Sequence, residues 1–243
     1  MNVFISGVSS GLGHGLADVY LDQGYTVYGL SRRTPSDLID HPCFHFLALD
    51  LAELSSAPGQ LSSFFESVTS FQIVYLNAGV LGLVRDLKDS PVEELRIQMD
   101  INVWSNKIIL DVLRDTGIQV EQVLTISSGA AVNGSRGWNG YSISKAALNM
   151  FTKLYAQEWP ETHFTAFAPG LIDTAMQDYL CDEVDTAQYP SIQKLLDARG
   201  TEHMPQPREA ARRIIAVLPQ LRQLPTGSFA DIRKIKLDVR RKN

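Results

Sequence analysis

The sequence predicts a single-domain α/β fold built on a doubly wound parallel sheet of seven strands. Short apolar runs alternate with longer segments whose apolar residues recur at helical spacing, the rhythm of βαβ units with a sheet covered on both faces. A glycine-rich turn, Gly7-Val8-Ser9-Ser10-Gly11-Leu12-Gly13, follows the first apolar run directly. A chain of 243 residues that is 44% hydrophobic can bury one substantial core. No internal repeat, low-complexity tract or Gly/Ser linker divides residues 1–243.

Taken in order, the apolar runs place strands at 2–6, 25–30, 43–49, 72–76, 120–126, 163–168 and 228–232. Residues 12–23 read as a helix stopped by Gly24. Residues 91–115 and 139–158 read as longer helices, the first with Ser90 as N-cap and Pro91 in its first turn. Residues 175–206 break the rhythm, mixing Met176, Tyr179, Leu180, Tyr189, Leu195, Leu196 and Met204 with charges. That mixture suits either a helical lid over a site or an ordinary packed excursion. Arg240-Arg241-Lys242 reads as a solvated tail.

Composition narrows the partners. A formal net charge of -5 with 20% charged residues lacks the basic excess that nucleic acid or an anionic membrane calls for. Cys43 and Cys181 stand far apart without metal-ligand spacing, so neither a disulfide framework nor a metal site is expected. The N-terminus breaks into glycines before a signal-peptide core forms, and no stretch reaches the roughly 18 apolar residues of a membrane helix. A cytoplasmic protein is the expectation.

Glycines after a first strand let the backbone turn sharply and approach a pyrophosphate, whose charge is stabilised by amides at the following helix N-terminus. The spacing is GxxxGxG, and taken alone it fits a plain tight turn as well as a nucleotide site. The second strand ends Gly29-Leu30-Ser31-Arg32-Arg33. A carboxylate there would bind the ribose 2′-hydroxyl of NAD; a guanidinium matches a 2′-phosphate, so Ser31, Arg32 and Arg33 point to NADP unless they are merely a solvated edge.

Tyr141 and Lys145 are spaced i, i+4 and share one helix face. A phenol is a poor acid-base group at neutral pH, and a nearby ammonium favours its phenolate, which is the physical reason for such a pair. By itself this spacing arises by chance in many chains. The order of motifs is more specific: Gly7/Gly11/Gly13, Asn77-Ala78-Gly79 after the fourth strand, Asn102 in a helix, Ser127-Ser128 after the fifth strand, Tyr141/Lys145, then Pro169-Gly170 after the sixth.

Across nearly the whole chain this order resembles the short-chain dehydrogenase/reductase family, which implies a Rossmann-type fold. The family's catalytic serine lies thirteen residues before its tyrosine, which selects Ser128 and leaves Ser127 structural. The resemblance implies Tyr141 as proton donor, Ser128 as holder of the carbonyl oxygen, Lys145 as ribose ligand that lowers the tyrosine pKa, and Asn102 as the fourth member of a proton relay. Asp50-Leu51 matches the adenine contact, and Asn77-Ala78-Gly79 the segment that braces the sheet beside the cofactor. Pro169, Gly170, Ile172 and Thr174 match the segment that contacts nicotinamide carboxamide and phosphate, with Met176 just beyond. Ser6 stands where the family more often has threonine, and the hydroxyl is kept.

A narrower resemblance, to the sepiapterin reductase branch and its bacterial benzil-reductase relatives, rests on three segments. They are Ile126-Ser127-Ser128-Gly129-Ala130-Ala131 with Gly137-Trp138, the run Pro169 to Gln177, and Gly227-Ser228-Phe229-Ala230-Asp231. It implies an NADPH-dependent reductase of a ketone or vicinal dicarbonyl, with Trp138 as an apolar wall. Asp231 either anchors the polar end of the substrate or pairs with a neighbouring arginine such as Arg233. An alcohol or hydroxysteroid dehydrogenase would share the catalytic residues, and a non-catalytic dinucleotide sensor would share the fold. The family's habit of pairing through its two long helices implies a homodimer or homotetramer.

Overall fold

Strand β1 (Asn2–Ser6) sets the layers of the molecule through simple alternation. Val3 and Ile5 point to one face and Phe4 to the other, and all three are fully buried, so the strand is covered on both sides. The computed structural model describes residues 1–235. Strands β2 (Thr26–Ser31), β3 (Phe44–Ala48), β4 (Ser70–Leu76), β5 (Gln119–Ile126), β6 (His163–Ala168) and β7 (Ser228–Asp231) complete a seven-stranded sheet in the order β3-β2-β1-β4-β5-β6-β7. Every neighbouring pair is parallel. All seven expected strands are present.

Helix α1 (Gly11–Asp22) covers the Val3/Ile5 face together with α8 (Pro207–Leu221), where Leu16, Tyr20, Ile214 and Val217 join Tyr75 and Phe167 in one core. Gly15 brings the two helices close, since a Cβ there would lie 2.6 Å from the Pro207 carbonyl. Arg208 then reaches Asp18 and Asp22 across the contact. The Phe4 face is covered by α2 (Ala57–Phe64), α4 (Ser105–Asp115) and α5 (Asn139–Glu158), with Leu61, Phe65, Phe71, Ile109, Leu113 and Leu148 in the second core. Burying each of these large side chains contributes about 1.5–3 kcal/mol, and the two cores hold the sheet between them.

The expected helix over 91–115 is interrupted. Helix α3 (Val92–Met99) passes through a π-helical turn, Asp100–Trp104, before α4 begins. Pro91 occupies the cap position, and the Ser90 hydroxyl instead donates to the Asp86 carbonyl at 3.1 Å, so Ser90 is not the N-cap. Helices α2 and α8 were not foreseen.

Residues 175–206 form α6 (Ala175–Asp182), a 3-10 turn at Pro190–Ile192 and α7 (Gln193–Ala198). Leu180, Tyr189, Ile192, Leu195 and Met204 bury one another in a third, smaller core that packs against Trp138, Tyr141 and Met176. The segment is therefore a helical cap with its own apolar interior. No described helix is long and apolar enough to cross a membrane. The Arg240-Arg241-Lys242 tail lies outside the described residues.

Candidate active site

A cleft of about 650 Å³ opens at the C-terminal ends of the strands, where the connections from β1 and β4 diverge. At one end lies the glycine turn. Gly7 and Gly11 adopt φ of 80° and 60°, left-handed values that favour glycine. Gly13 excludes a side chain for another reason: a Cβ there would sit 2.2 Å from the Gly7 carbonyl oxygen. The Ser6 hydroxyl accepts from the amides of Asn77 at 2.9 Å and Ala78 at 3.0 Å. In return the Asn77 side chain donates to the Ser6 carbonyl at 2.9 Å, so β1 and β4 are laced together where they part. Ser10 makes no side-chain cap on α1, which leaves the first amides of that helix facing the cleft.

At the end of β2 the buried Ser31 hydroxyl donates to the Arg33 carbonyl at 2.7 Å. Arg32 is 73% exposed, its guanidinium 3.8 Å from Asp50. Asp50 also accepts from the Ala52 amide at 3.0 Å. The cleft floor here thus ends in a cation held loosely at its rim.

Side chains converge at the other end. Ser128 follows β5 and caps the short turn Gly129–Ala131, its hydroxyl accepting from the Ala130 amide at 3.1 Å. Ser127 instead donates to Asn149 at 2.6 Å, which ties β5 to α5. Tyr141 and Lys145 sit in the first turns of α5, with the Lys145 ammonium 5.6 Å from the phenol ring centre. Lys145 is buried and donates to the Ile126 carbonyl at 2.7 Å; burial lowers its pKa to about 8. Burial pushes the Tyr141 phenol above its ordinary pKa, and its hydrogen bond with Ser128 only partly opposes this. The expected lowering by Lys145 is therefore not the dominant influence here. Loss of water around the phenol outweighs an ammonium that sits beside the ring.

Asn102 lies in the π-helical turn, fully buried. Its side chain accepts from the Val80 amide at 2.8 Å, donates to the Val80 carbonyl at 2.9 Å and donates to the Ser144 hydroxyl at 2.9 Å. It clamps the segment that follows β4 onto α5. Gly79 lies between: a Cβ there would be 3.1 Å from Asn102 and 3.4 Å from the Lys145 ammonium.

Of the residues singled out by sequence, all line the cleft except Gly13, Asn102 and Asp231. Gly11 and Thr174 meet across it, a Cβ on the glycine falling 3.3 Å from the threonine methyl. The Trp138 indole donates to Ser191 at 2.8 Å and so joins the start of α5 to the cap. Asp231 accepts from Arg233 through both oxygens, at 2.9 Å and 2.5 Å, and from its amide at 3.0 Å. Burial alone would raise the Asp231 carboxyl, but the hydrogen bonds and charge of Arg233 hold it below the usual carboxylate range. Arg233 itself lines the cleft, as do Asn133, Ser135, Ser191 and Lys194, none of which was singled out as a site residue. No spacing marked them; Arg233 alone had been named, as a partner for Asp231.

The model of the short chain dehydrogenase family matches residues 1–185. The benzil reductase ((S)-benzoin forming) of Bacillus subtilis (strain 168) is 29% identical over 184 residues, 71% of this chain and 75% of that protein. The Bacillus cereus benzil reductase ((S)-benzoin forming) is 26% identical over 247 residues, 95% of this chain and 98% of its own length. Among solved structures, a short chain dehydrogenase/reductase from Saccharomyces cerevisiae superposes with a TM-score of 0.83 at 22% identity, covering 98% of both chains.

Proposed function

This chain belongs to the short-chain dehydrogenase family, and on that premise we propose that it is an NADPH-dependent carbonyl reductase acting on a ketone or vicinal dicarbonyl. The observation that carries the reading is the convergence of Ser128, Tyr141 and Lys145 under the cap, in the same cleft as the glycine turn. The likeness to two benzil reductases supports the dicarbonyl class.

The residues fit a nicotinamide dinucleotide. The turn from Gly7 to Leu12, with glycines at 7 and 11, offers main-chain amides where a pyrophosphate would lie, and Asp50 and Leu51 flank the adenine end. Arg32, with Ser31 and Arg33 beside it, would hold the 2′-phosphate of NADP. Asn77, Ala78 and Gly79 would border the nicotinamide ribose, and Pro169, Gly170, Ile172 and Thr174 the carboxamide side. When bound, the cofactor supplies the hydride.

Chemistry at the protein follows from the geometry. Ser128 donates to the carbonyl oxygen and Tyr141 gives it a proton as negative charge develops there. A phenol whose pKa is pushed up stays protonated throughout the neutral range, the form an acid needs for reduction. Lys145, held by the Ile126 carbonyl, would bind the nicotinamide ribose, and Asn102, joining Val80 to Ser144, would hold the surroundings of Tyr141 and Lys145 in shape. Trp138 and Met176 shape the apolar wall, and the cap over 175–206 acts as the lid that excludes water.

Exposed Ile97, Trp104, Ile143, Met150 and Leu154 lie on the two helical segments through which the homodimer or homotetramer would form. Following cofactor oxidation with benzil, sepiapterin and simple ketones, using NADPH and NADH in parallel, tests the proposal. Reduction of a dicarbonyl with preference for NADPH is expected; no consumption with any carbonyl would overturn it.

A further inference from the structure

Arg233 stands at the substrate end of the cleft beside Gly129, the residue that follows Ser128. A Cβ on Gly129 would come within 3.1 Å of the Arg233 Nη2 and 3.6 Å of the Asn133 side-chain nitrogen. The absence of a side chain at Gly129 thus lets the Arg233 guanidinium approach the main chain that follows Ser128, with the Asn133 side-chain amide nearby. Arg233 is held there by three hydrogen bonds from its amide, Nε and Nη2 to Asp231. Asp231 is 7% exposed in its side chain, Arg233 58%. The carboxylate is therefore consumed as a support, and the guanidinium is what the cleft meets.

A guanidinium carries five N–H donors, of which Asp231 engages two, so Nη1 and the remaining Nη2 proton are left for a ligand. We propose that Arg233 is a specificity-determining residue whose guanidinium donates to the oxygen of a second carbonyl adjacent to the one reduced. This rests on the reductase reading above and deepens it. The buried carboxylate cancels the charge of the guanidinium locally, which favours a neutral acceptor over a carboxylate substrate. Because the fork is fixed before binding, little side-chain freedom is lost when the second oxygen arrives. The Asp231 carboxylate, an acceptor with both oxygens used, has nothing to offer such a ligand.

The test compares benzil with deoxybenzoin, where a methylene replaces the second carbonyl, and with the anionic benzoylformate. Arg233→Met removes the donors; an Asp231→Asn/Arg233→Met protein does the same without stranding a buried carboxylate. With both, kcat/KM for benzil is expected to fall at least roughly tenfold, mainly through KM, as for loss of a hydrogen bond from a charged donor. Deoxybenzoin should change by less than about twofold on the same reasoning, since it never received that bond. Equal losses for benzil and deoxybenzoin, an unchanged benzil reaction, or a loss confined to benzoylformate would each overturn the assignment. Should the wild-type protein reduce none of the three and none of the wider panel of carbonyls, the reductase reading fails by itself. Calorimetric titration of benzil into the NADP-loaded proteins then still decides the subsite: weaker binding to both variants supports it, and equal binding overturns it.

Discussion

The glycine turn and the Tyr141 pocket share one cleft, but the first is made of main chain and the second of side chains drawn from distant segments. At the turn, residues 7 to 13 define the shape through left-handed φ and the absence of a Cβ, and contacts from Ser6 and Asn77 only brace it. At the pocket, Lys145 leans on Ile126, Asn102 joins Val80 to Ser144, and Trp138 reaches Ser191 in the cap. Binding a phosphate-bearing ligand asks for exposed amides, which local backbone supplies. Proton transfer asks for titratable groups out of water, which a strand, two helices and a cap must supply together, at a cost in stability.

The comparison can be broken most sharply at the pocket. Tyr141→Phe keeps the ring but loses the proton, so carbonyl reduction is expected to fall by about 10²–10⁴ while NADPH binding stays unchanged. Steady-state kinetics together with a fluorescence titration of NADPH check this. Turnover near that of the wild type would move the acid elsewhere.

The stability cost is read from Lys145. Its pKa drops from 10.5 when solvated to about 8 in the fold, so below pH 8 the folded chain holds a charge it disfavours. This penalty is present in full below the folded value and fades as pH rises towards the unfolded one, so the wild type should gain stability across that window. Lys145→Met removes this penalty but leaves the Ile126 carbonyl without its donor, so its stability relative to the wild type should be higher at pH 7 than at pH 10, while most activity is lost. Urea unfolding at pH 7 and 10 measures it. A constant difference between the two pH values would show that the lysine charge is not the source.

At the nucleotide end, effects should fall on affinity and cofactor choice. Arg32→Asp replaces a charge-assisted bond by repulsion, so NADPH should weaken by about 10–100-fold relative to NADH. Equal weakening of both would place Arg32 away from the 2′-phosphate. Ser31→Ala removes a neutral donor and should weaken NADPH by about 2–10-fold, the smallest of these changes. No change in NADPH affinity would confine Ser31 to its bond with the Arg33 carbonyl.

Where the sequence misled, the reason was local. Residues 91–115 carry continuous helical spacing, and nothing in that spacing shows the wider turn at Asp100–Trp104; packing Asn102 between Val80 and Ser144 accompanies it. Helix α2 begins with Pro58 and Gly59 close together and α8 contains Pro219, residues that read as breakers. Both form because their apolar faces cover the sheet, with Leu61 in one core and Ile214 and Val217 in the other. Arg233, Asn133 and Lys194 carried no signal of a site, since a single polar residue in a loop looks the same wherever it points.

By itself the sequence determined the alternation of seven strands with helices, the glycine turn after β1 and the shared face of Tyr141 and Lys145. Each depends on neighbours within a few positions, where the strand period, the helix period and the backbone freedom of glycine set the geometry. Tertiary structure alone decided that Asp231 lies behind Arg233, that Asn102 fastens the segment after β4 to α5, and that burial pushes the Tyr141 phenol up and brings Lys145 down to about 8. Those outcomes depend on which groups lose water and which distant partners meet. Both are settled by packing across the sheet, and no local spacing records them.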